Sequence, residues 1–338
     1  MTQPASAPAL PANVRVFEMA ASAVAARALW GAAELGVADA LDNDPRPVDE
    51  LAVTCAADPG ALYRVLRLLA AHGVFVEHDG RRFSHSEMSR TLRSDHPTRT
   101  RAAVRMLSGD GMYRAFGAFR TSLATGKPSW DAAMGEPIFE WLSHEPEAAS
   151  IFNDAMIGIH GGEPPAVAAA YPFAGTVIDV GGGSGNMIVN VLRQHPQARG
   201  VVYDLPRVVV DAQRRLEAEG LSDRARVEGG SFFDGVPAGG DLYILSHIIH
   251  DWDEERCVRI LNHCREAKAA GGKVLIVEMV VPPPNVPHPA KMLDIVMLAV
   301  PGGQERTEDE YRELLAKAGL RLTRVFPTAS PVSVIEAE

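Results

Sequence analysis

Cysteine is scarce: Cys55, Cys257 and Cys264 are the only three in 338 residues, and none falls in a C-x-x-C spacing. An odd count so spread excludes a disulfide framework and carries no zinc or redox-thiol signature, so no metal is expected and a reducing cytoplasm is the natural compartment. Long apolar runs are missing too. No stretch reaches the roughly 18 apolar residues of a membrane helix. Met1 to Asn13 is Pro/Ala-rich, without the basic start and apolar block of a signal peptide, and reads as a loose tail. Positive charge is outnumbered, 33 Lys and Arg against 43 Asp and Glu, for a formal charge of −10. That field repels nucleic acid and anionic membrane, and a small, weakly charged partner fits it better.

What is present is enough hydrophobic chain for two domains rather than one. From Phe17 to about Leu41 the residues are almost continuously Ala, Val, Leu and Met. A helix apolar on most sides needs a partner, and in an N-terminal segment a second copy of the chain is expected, giving a homodimer. Val48 to Cys55 and Asp58 to His72 follow as helices, the latter with Leu62, Val65, Leu66, Leu68 and Leu69 at helical spacing, then a hairpin turning at Asp79-Gly80. Helix, helix and hairpin make a winged helix. Such modules often bind DNA, and Arg64, Arg67, Arg81, Arg82, Arg90, Arg93, Arg99 and Arg101 supply some positive charge. The recognition helix would hold only two arginines among leucines, however, so dimerisation and pocket lining fit better than a DNA-binding regulator.

From Thr176 short apolar runs alternate with amphipathic helices, the pattern of a parallel sheet with crossover helices. Strands are expected over Thr176–Val180, Gly200–Tyr203, Ala225–Glu228, Leu242–Ser246 and Lys273–Val281, with helices over Gly185–His195, Arg207–Glu219 and Asp253–Ala269. Thr307-Glu-Asp-Glu310 is a capping box opening a helix that Gly319 ends. Two strands, Arg321–Phe326 and Val332–Glu336, then form a hairpin, so this α/β, Rossmann-like sheet is parallel with one antiparallel C-terminal strand.

The strongest motif is Val177-Ile-Asp-Val-Gly-Gly-Gly-Ser-Gly185, a strand running into a glycine turn and a helix. Glycines there let a ligand approach the backbone at the carboxyl end of the sheet. The spacing is G-x-G-x-G over Gly181, Gly183 and Gly185 with Asp179 just before it. The third glycine of a dinucleotide fingerprint is absent, which favours S-adenosylmethionine over NAD. Asp204 ends the second strand, where an acid can accept from a ribose diol. Ser231-Phe232 follows the third, where an aromatic ring can cover an adenine. The fourth strand ends in Ser246-His-Ile-Ile-His250-Asp251-Trp252, putting histidine beside the glycine loop. Two carboxylates, Glu278 and Glu305, arrive at equivalent heights, and a carboxylate beside an imidazole fixes its tautomer and stabilises the imidazolium. This is acid/base equipment.

So assembled, the chain resembles the plant-type small-molecule O-methyltransferase family, which includes caffeic acid O-methyltransferase and bacterial enzymes that tailor aromatic secondary metabolites. The resemblance spans nearly the whole chain: winged helix, Asp-Val-Gly-Gly-Gly-Ser-Gly, Asp204-Leu205-Pro, His-Asp-Trp and Gly302-Gly-x-Glu-Arg-Thr. It implies a dimerisation domain over 1–105 and a class I methyltransferase domain over 106–338. It also implies S-adenosylmethionine as methyl donor, S-adenosylhomocysteine as product, and a hydroxyl of a small aromatic acceptor. By family role His250 is the base, with Asp251, Glu278 and Glu305 around it. Gly181, Asp204, Leu205, Ser231, Phe232 and Ser246 are cofactor contacts, though many relatives carry Asp and Lys at the two serines. Phe152, Asn153, Met156, Met292, Asp294 and Met297 fall where the acceptor pocket is lined. Relatives that methylate ring nitrogen, or that use the cofactor for hydroxylation or decarboxylation, are the alternatives.

Overall fold

The computed structural model describes residues 10–338. Of the expected N-terminal tail, residues 1–9 lie outside the described residues, and a helix, Ala12–Glu34, already begins inside the remainder. The chain forms two compact units: one holds the residues up to Tyr113 with Glu145–Ile159, the other Arg114–His144 with His160–Glu338. A single boundary at 105/106 therefore gives way to crossings at 113/114, 144/145 and 159/160. A run of helices between residues 100 and 170, which carries no strand periodicity, is divided between the units.

In the first unit, β1 (Arg46–Pro47), β2 (Phe75–His78) and β3 (Arg82–His85) form an antiparallel sheet in the order β1-β3-β2. Gly80 (φ 75°) and Arg81 (φ 56°) take the left-handed backbone that reverses the hairpin. Helix Pro59–Ala71 is capped by Asp58, whose carboxylate accepts from Ala61 N, and buries Leu62, Leu66 and Leu69. Phe75 and Phe83 complete that core, so the winged helix is present. Several of its arginines have partners: Arg93, Arg99 and Arg101 pair with Asp95, Asp154 and Asp39 at 3.0, 2.5 and 2.6 Å, and Arg67 and Arg81 lie over the Tyr63 ring. Helix Ala12–Glu34 buries only Ala32 and Ala33 within the chain and leaves Val16, Phe17, Met19 and Val24 exposed.

The second unit carries seven strands in the order β6-β5-β4-β7-β8-β10-β9: β4 (Thr176–Val180), β5 (Arg199–Asp204), β6 (Ala225–Gly229), β7 (Leu242–Ser246), β8 (Lys273–Glu278), β9 (Leu322–Pro327) and β10 (Ser333–Ala337). Pairing is parallel through β8, and β10 runs antiparallel to both β8 and β9. The antiparallel strand thus sits inside the sheet, with its hairpin partner at the edge. Side chains alternate between faces with the strand period of two. In β8, Leu275 and Val277 join the core under helix Asn186–Gln194, while Val274 and Ile276 pack toward helices Glu254–Ala267 and Glu308–Lys317. Burial on both faces is why these strands read as unbroken apolar runs. The carboxyl ends of β4, β5, β7 and β8 come out along one edge of the sheet, which is where the site is built.

Candidate active site

The glycine loop is a backbone device. Gly181 and Gly182 both donate to the carbonyl of Tyr203, at 2.8 and 3.2 Å, folding the loop back onto β5. Asp204 completes the clamp, its carboxylate accepting from Gly183 N at 2.9 Å and Leu205 N at 2.6 Å. Gly181, Gly183 and Gly185 all have left-handed φ, at 73°, 54° and 75°. A Cβ on Gly181 would lie 2.4 Å from Ile248 Cδ1, and one on Gly182 2.7 Å from Asp179 Oδ2. On Gly183 it would meet nothing within 4 Å, so that corner is open to a ligand. Asp179 is buried, its Oδ2 lacks a hydrogen-bond partner, and no cation among the described residues offsets its charge. Burial first, then the nearby Asp204, pushes Asp179 up to about 7. A buried and a half-buried acid beside an open glycine backbone suit a cationic nucleoside such as S-adenosylmethionine. Phe232 packs with Phe233 and Trp252, centroids 4.8 and 6.2 Å away. Ser231 Oγ accepts from Phe233 N, and Ser246 ends β7.

The base cluster is a side-chain device. Beyond β7 the chain makes a 3₁₀ turn, Ile249–Asp251, that buries His250. Glu305 Oε1 sits 2.5 Å from His250 Nδ1, while Asp251 Oδ1 is 3.6 Å from Nε2. Glu278, expected beside His250, accepts from the His250 backbone N–H at 3.0 Å and from the Tyr311 hydroxyl at 2.5 Å. It anchors the turn rather than the imidazole. Burial alone would lower the His250 pKa; the charges of Asp251, Glu305 and Glu278 outweigh it and hold the ring up at about 10. Asp251 is pushed up to about 6, by burial and against the pull of His250. The ring is held well above the ordinary histidine value because three carboxylates lie around His250, with Arg306 the one other buried cation beside them among the described residues.

Gly302-Gly303 has a plain steric reason. A Cβ on Gly303 would lie 1.8 Å from the His250 carbonyl oxygen, and Gln304 N donates to that oxygen at 2.8 Å. Only a bare backbone brings Glu305 this close. Asp294, expected in the acceptor pocket, accepts from Glu305 N at 3.0 Å and so fixes the same segment. On its helix, Pro289–Ala299, Met292 is exposed and Met297 buried. Phe152, Asn153 and Met156 lie in the first unit on helix Pro146–His160, with Asn153 exposed and the other two half-buried. The sequence reading missed Tyr311 and Arg306. Tyr311 gave only the signal of an apolar helix position; Arg306, which donates to the carbonyls of Ile249 and Gln304, stood within the quoted motif.

Residues 116–321 match the O-methyltransferase domain and residues 17–95 the O-methyltransferase dimerisation domain. The chain is 40% identical over 339 residues to a phenazine O-methyltransferase of Lysobacter antibioticus, covering 100% of this chain and 99% of the relative. It is 38% identical over 336 residues to the O-demethylpuromycin-O-methyltransferase of Streptomyces alboniger, covering 96% and 89%. Among solved structures it is similar, with a TM-score of 0.84 and 35% identity, to an O-methyltransferase from neocarzinostatin biosynthesis in complex with S-adenosylmethionine and 2-hydroxy-5-methyl naphthoic acid, covering 98% of this chain and 99% of that one. A clamped glycine loop, strand-end acids and a buried imidazole–carboxylate cluster thus stand in a chain that belongs to the S-adenosylmethionine-dependent O-methyltransferase family, in the plant-type branch found in bacterial secondary metabolism.

Proposed function

We propose that His250 takes the proton of an aromatic hydroxyl as that oxygen is methylated. The observation that carries this reading is the 2.5 Å contact between His250 Nδ1 and Glu305. With Nδ1–H committed to a carboxylate, the neutral ring presents its lone pair on Nε2, the atom left to meet an acceptor. Gly181, Gly183, Gly185, Asp179, Asp204, Leu205, Ser231, Phe232 and Ser246 are the residues that would hold S-adenosylmethionine, with Asp204 toward the ribose and Phe232 toward the adenine. When bound, it supplies a methyl group on a cationic sulfur. The chain's own contribution is alignment, worth up to roughly 7–11 kcal/mol in well-oriented systems, and proton removal, worth about 10²–10⁴-fold.

A flat aromatic acceptor is supported by the phenazine and naphthoic acid names of the relatives. A homodimer is supported by the exposed Val16, Phe17, Met19 and Val24 and by the dimerisation-domain match over 17–95. A monomer by light scattering would contradict it. No helix of the described residues is long and apolar enough to cross a membrane, and we place the chain in the cytoplasm.

The test is mass spectrometry of products from a panel of phenolic and heteroaromatic acceptors, with wild type and His250→Gln compared. The variant is expected to bind S-adenosylmethionine as wild type does by calorimetry and to lose about 10²–10⁴-fold in turnover. Unchanged turnover would remove His250 from the role, and methyl found on nitrogen would move the reading to the heteroaromatic N-methylating relatives.

A further inference from the structure

Three side chains that no step above uses meet beside the base cluster. His160 ends helix Pro146–His160, Glu163 opens helix Glu163–Ala170, and His247 directly follows β7. Glu163 Oε2 lies 2.6 Å from His247 Nε2 and 3.2 Å from His160 Nδ1, and the two imidazole centroids are 3.9 Å apart. All three ligand atoms fall within 4.8 Å of one another. Glu163 is 4% exposed, so its charge is committed to this cluster. His247 adopts φ 53°, in the left-handed region that histidine enters more readily than most non-glycine residues, and its N–H donates to Val277 O at 3.1 Å. The left-handed turn after β7 thus brings an imidazole onto a buried carboxylate already in contact with another imidazole.

We propose that His160, Glu163 and His247 form a binding site for one late first-row divalent metal ion, of the Zn²⁺ class. Two imidazole nitrogens and one carboxylate oxygen are the donor set such ions prefer, with remaining positions open to water or ligand. Mg²⁺ and Ca²⁺, which want oxygen donors, are excluded by the same set. Affinity falls short of a structural zinc site, because His247 Nδ1 is buried without a hydrogen-bond partner and an outer-shell partner typically contributes about 10–100-fold. The site lies next to the base: the His247 and His250 rings are 5.1 Å apart.

The test uses untagged, chelator-stripped full-length protein titrated with Zn²⁺ by calorimetry and with Co²⁺ by visible ligand-field absorption. One ion per chain is expected, with no Mg²⁺ uptake, and binding about tenfold or more weaker in Glu163→Gln and in His160→Asn. Circular dichroism checks that each variant is folded; the half-buried His160 keeps the test decisive if the buried Glu163 variant fails to fold. Absence of Zn²⁺ and Co²⁺ binding by wild type, or wild-type affinity in a folded variant, overturns the proposal.

Discussion

The glycine loop and the base cluster stand side by side at one end of the same sheet, yet they are built on opposite principles. The loop is held by backbone: two amides on the Tyr203 carbonyl and one on Asp204, all from residues that follow one another along the chain. The cluster is held by side chains from β7's exit, β8, residues 302–306 and helix Glu308–Lys317, with His250 and Glu305 separated by 55 positions. A backbone device is vulnerable to an added Cβ and indifferent to most charges. A side-chain device is sensitive to charge and to any shift in the segments that carry it.

The largest expected effect sharpens the electrostatic half of that contrast. With His250 held up at about 10 and a phenol near its ordinary value of about 10, the reacting pair must together lose one proton, so kcat/KM rises about hundredfold between pH 7 and pH 9. An ordinary histidine would give a plateau from about pH 7 instead, and a pH–rate profile separates the two. The sign for stability is opposite. A raised histidine pKa adds stability that is complete below about 6.5 and is lost as pH rises through about 10.

Next in size is Gly303→Ala, whose Cβ must push the His250 carbonyl away from a 1.8 Å overlap. Overpacking of this kind costs about 1–3 kcal/mol, and a shift of about 1 Å in the base can cost about 10²-fold in turnover. Thermal melting and kcat measured together check it, and wild-type kcat would mean that the 302–306 segment yields without moving the base.

The smallest effect tests the loop. Gly181→Ala strains a left-handed residue by roughly 1–2 kcal/mol and meets Ile248, whereas Gly183→Ala carries only the strain. S-adenosylmethionine affinity by calorimetry should fall about tenfold or more in the first and less in the second. The reverse order would show that the open corner at Gly183 is the tighter ligand contact.

Much of this was legible beforehand. Each βα unit from Thr176 to Ala269 lies within a few residues of its expected place, because alternation, glycine turns and the Thr307 capping box are local signals. The helices between residues 100 and 170 were not legible, since they are divided between two units and no local signal says which helix belongs to which. The neighbourhoods of Asp294 and Glu278 were legible but not the backbone amides they accept from, for a motif gives residue types and not the atoms they touch.

The sequence alone determined the class of ligand and the shape of its loop, because G-x-G-x-G after a strand is a statement about backbone. It also determined that a histidine and carboxylates share one end of the sheet. Only the tertiary structure decided which carboxylate takes the imidazole, how far burial and charge move its pKa, and that Glu163 meets His247 across 84 positions. Those outcomes depend on desolvation and on packing between distant segments, and neither is written in any local stretch of chain.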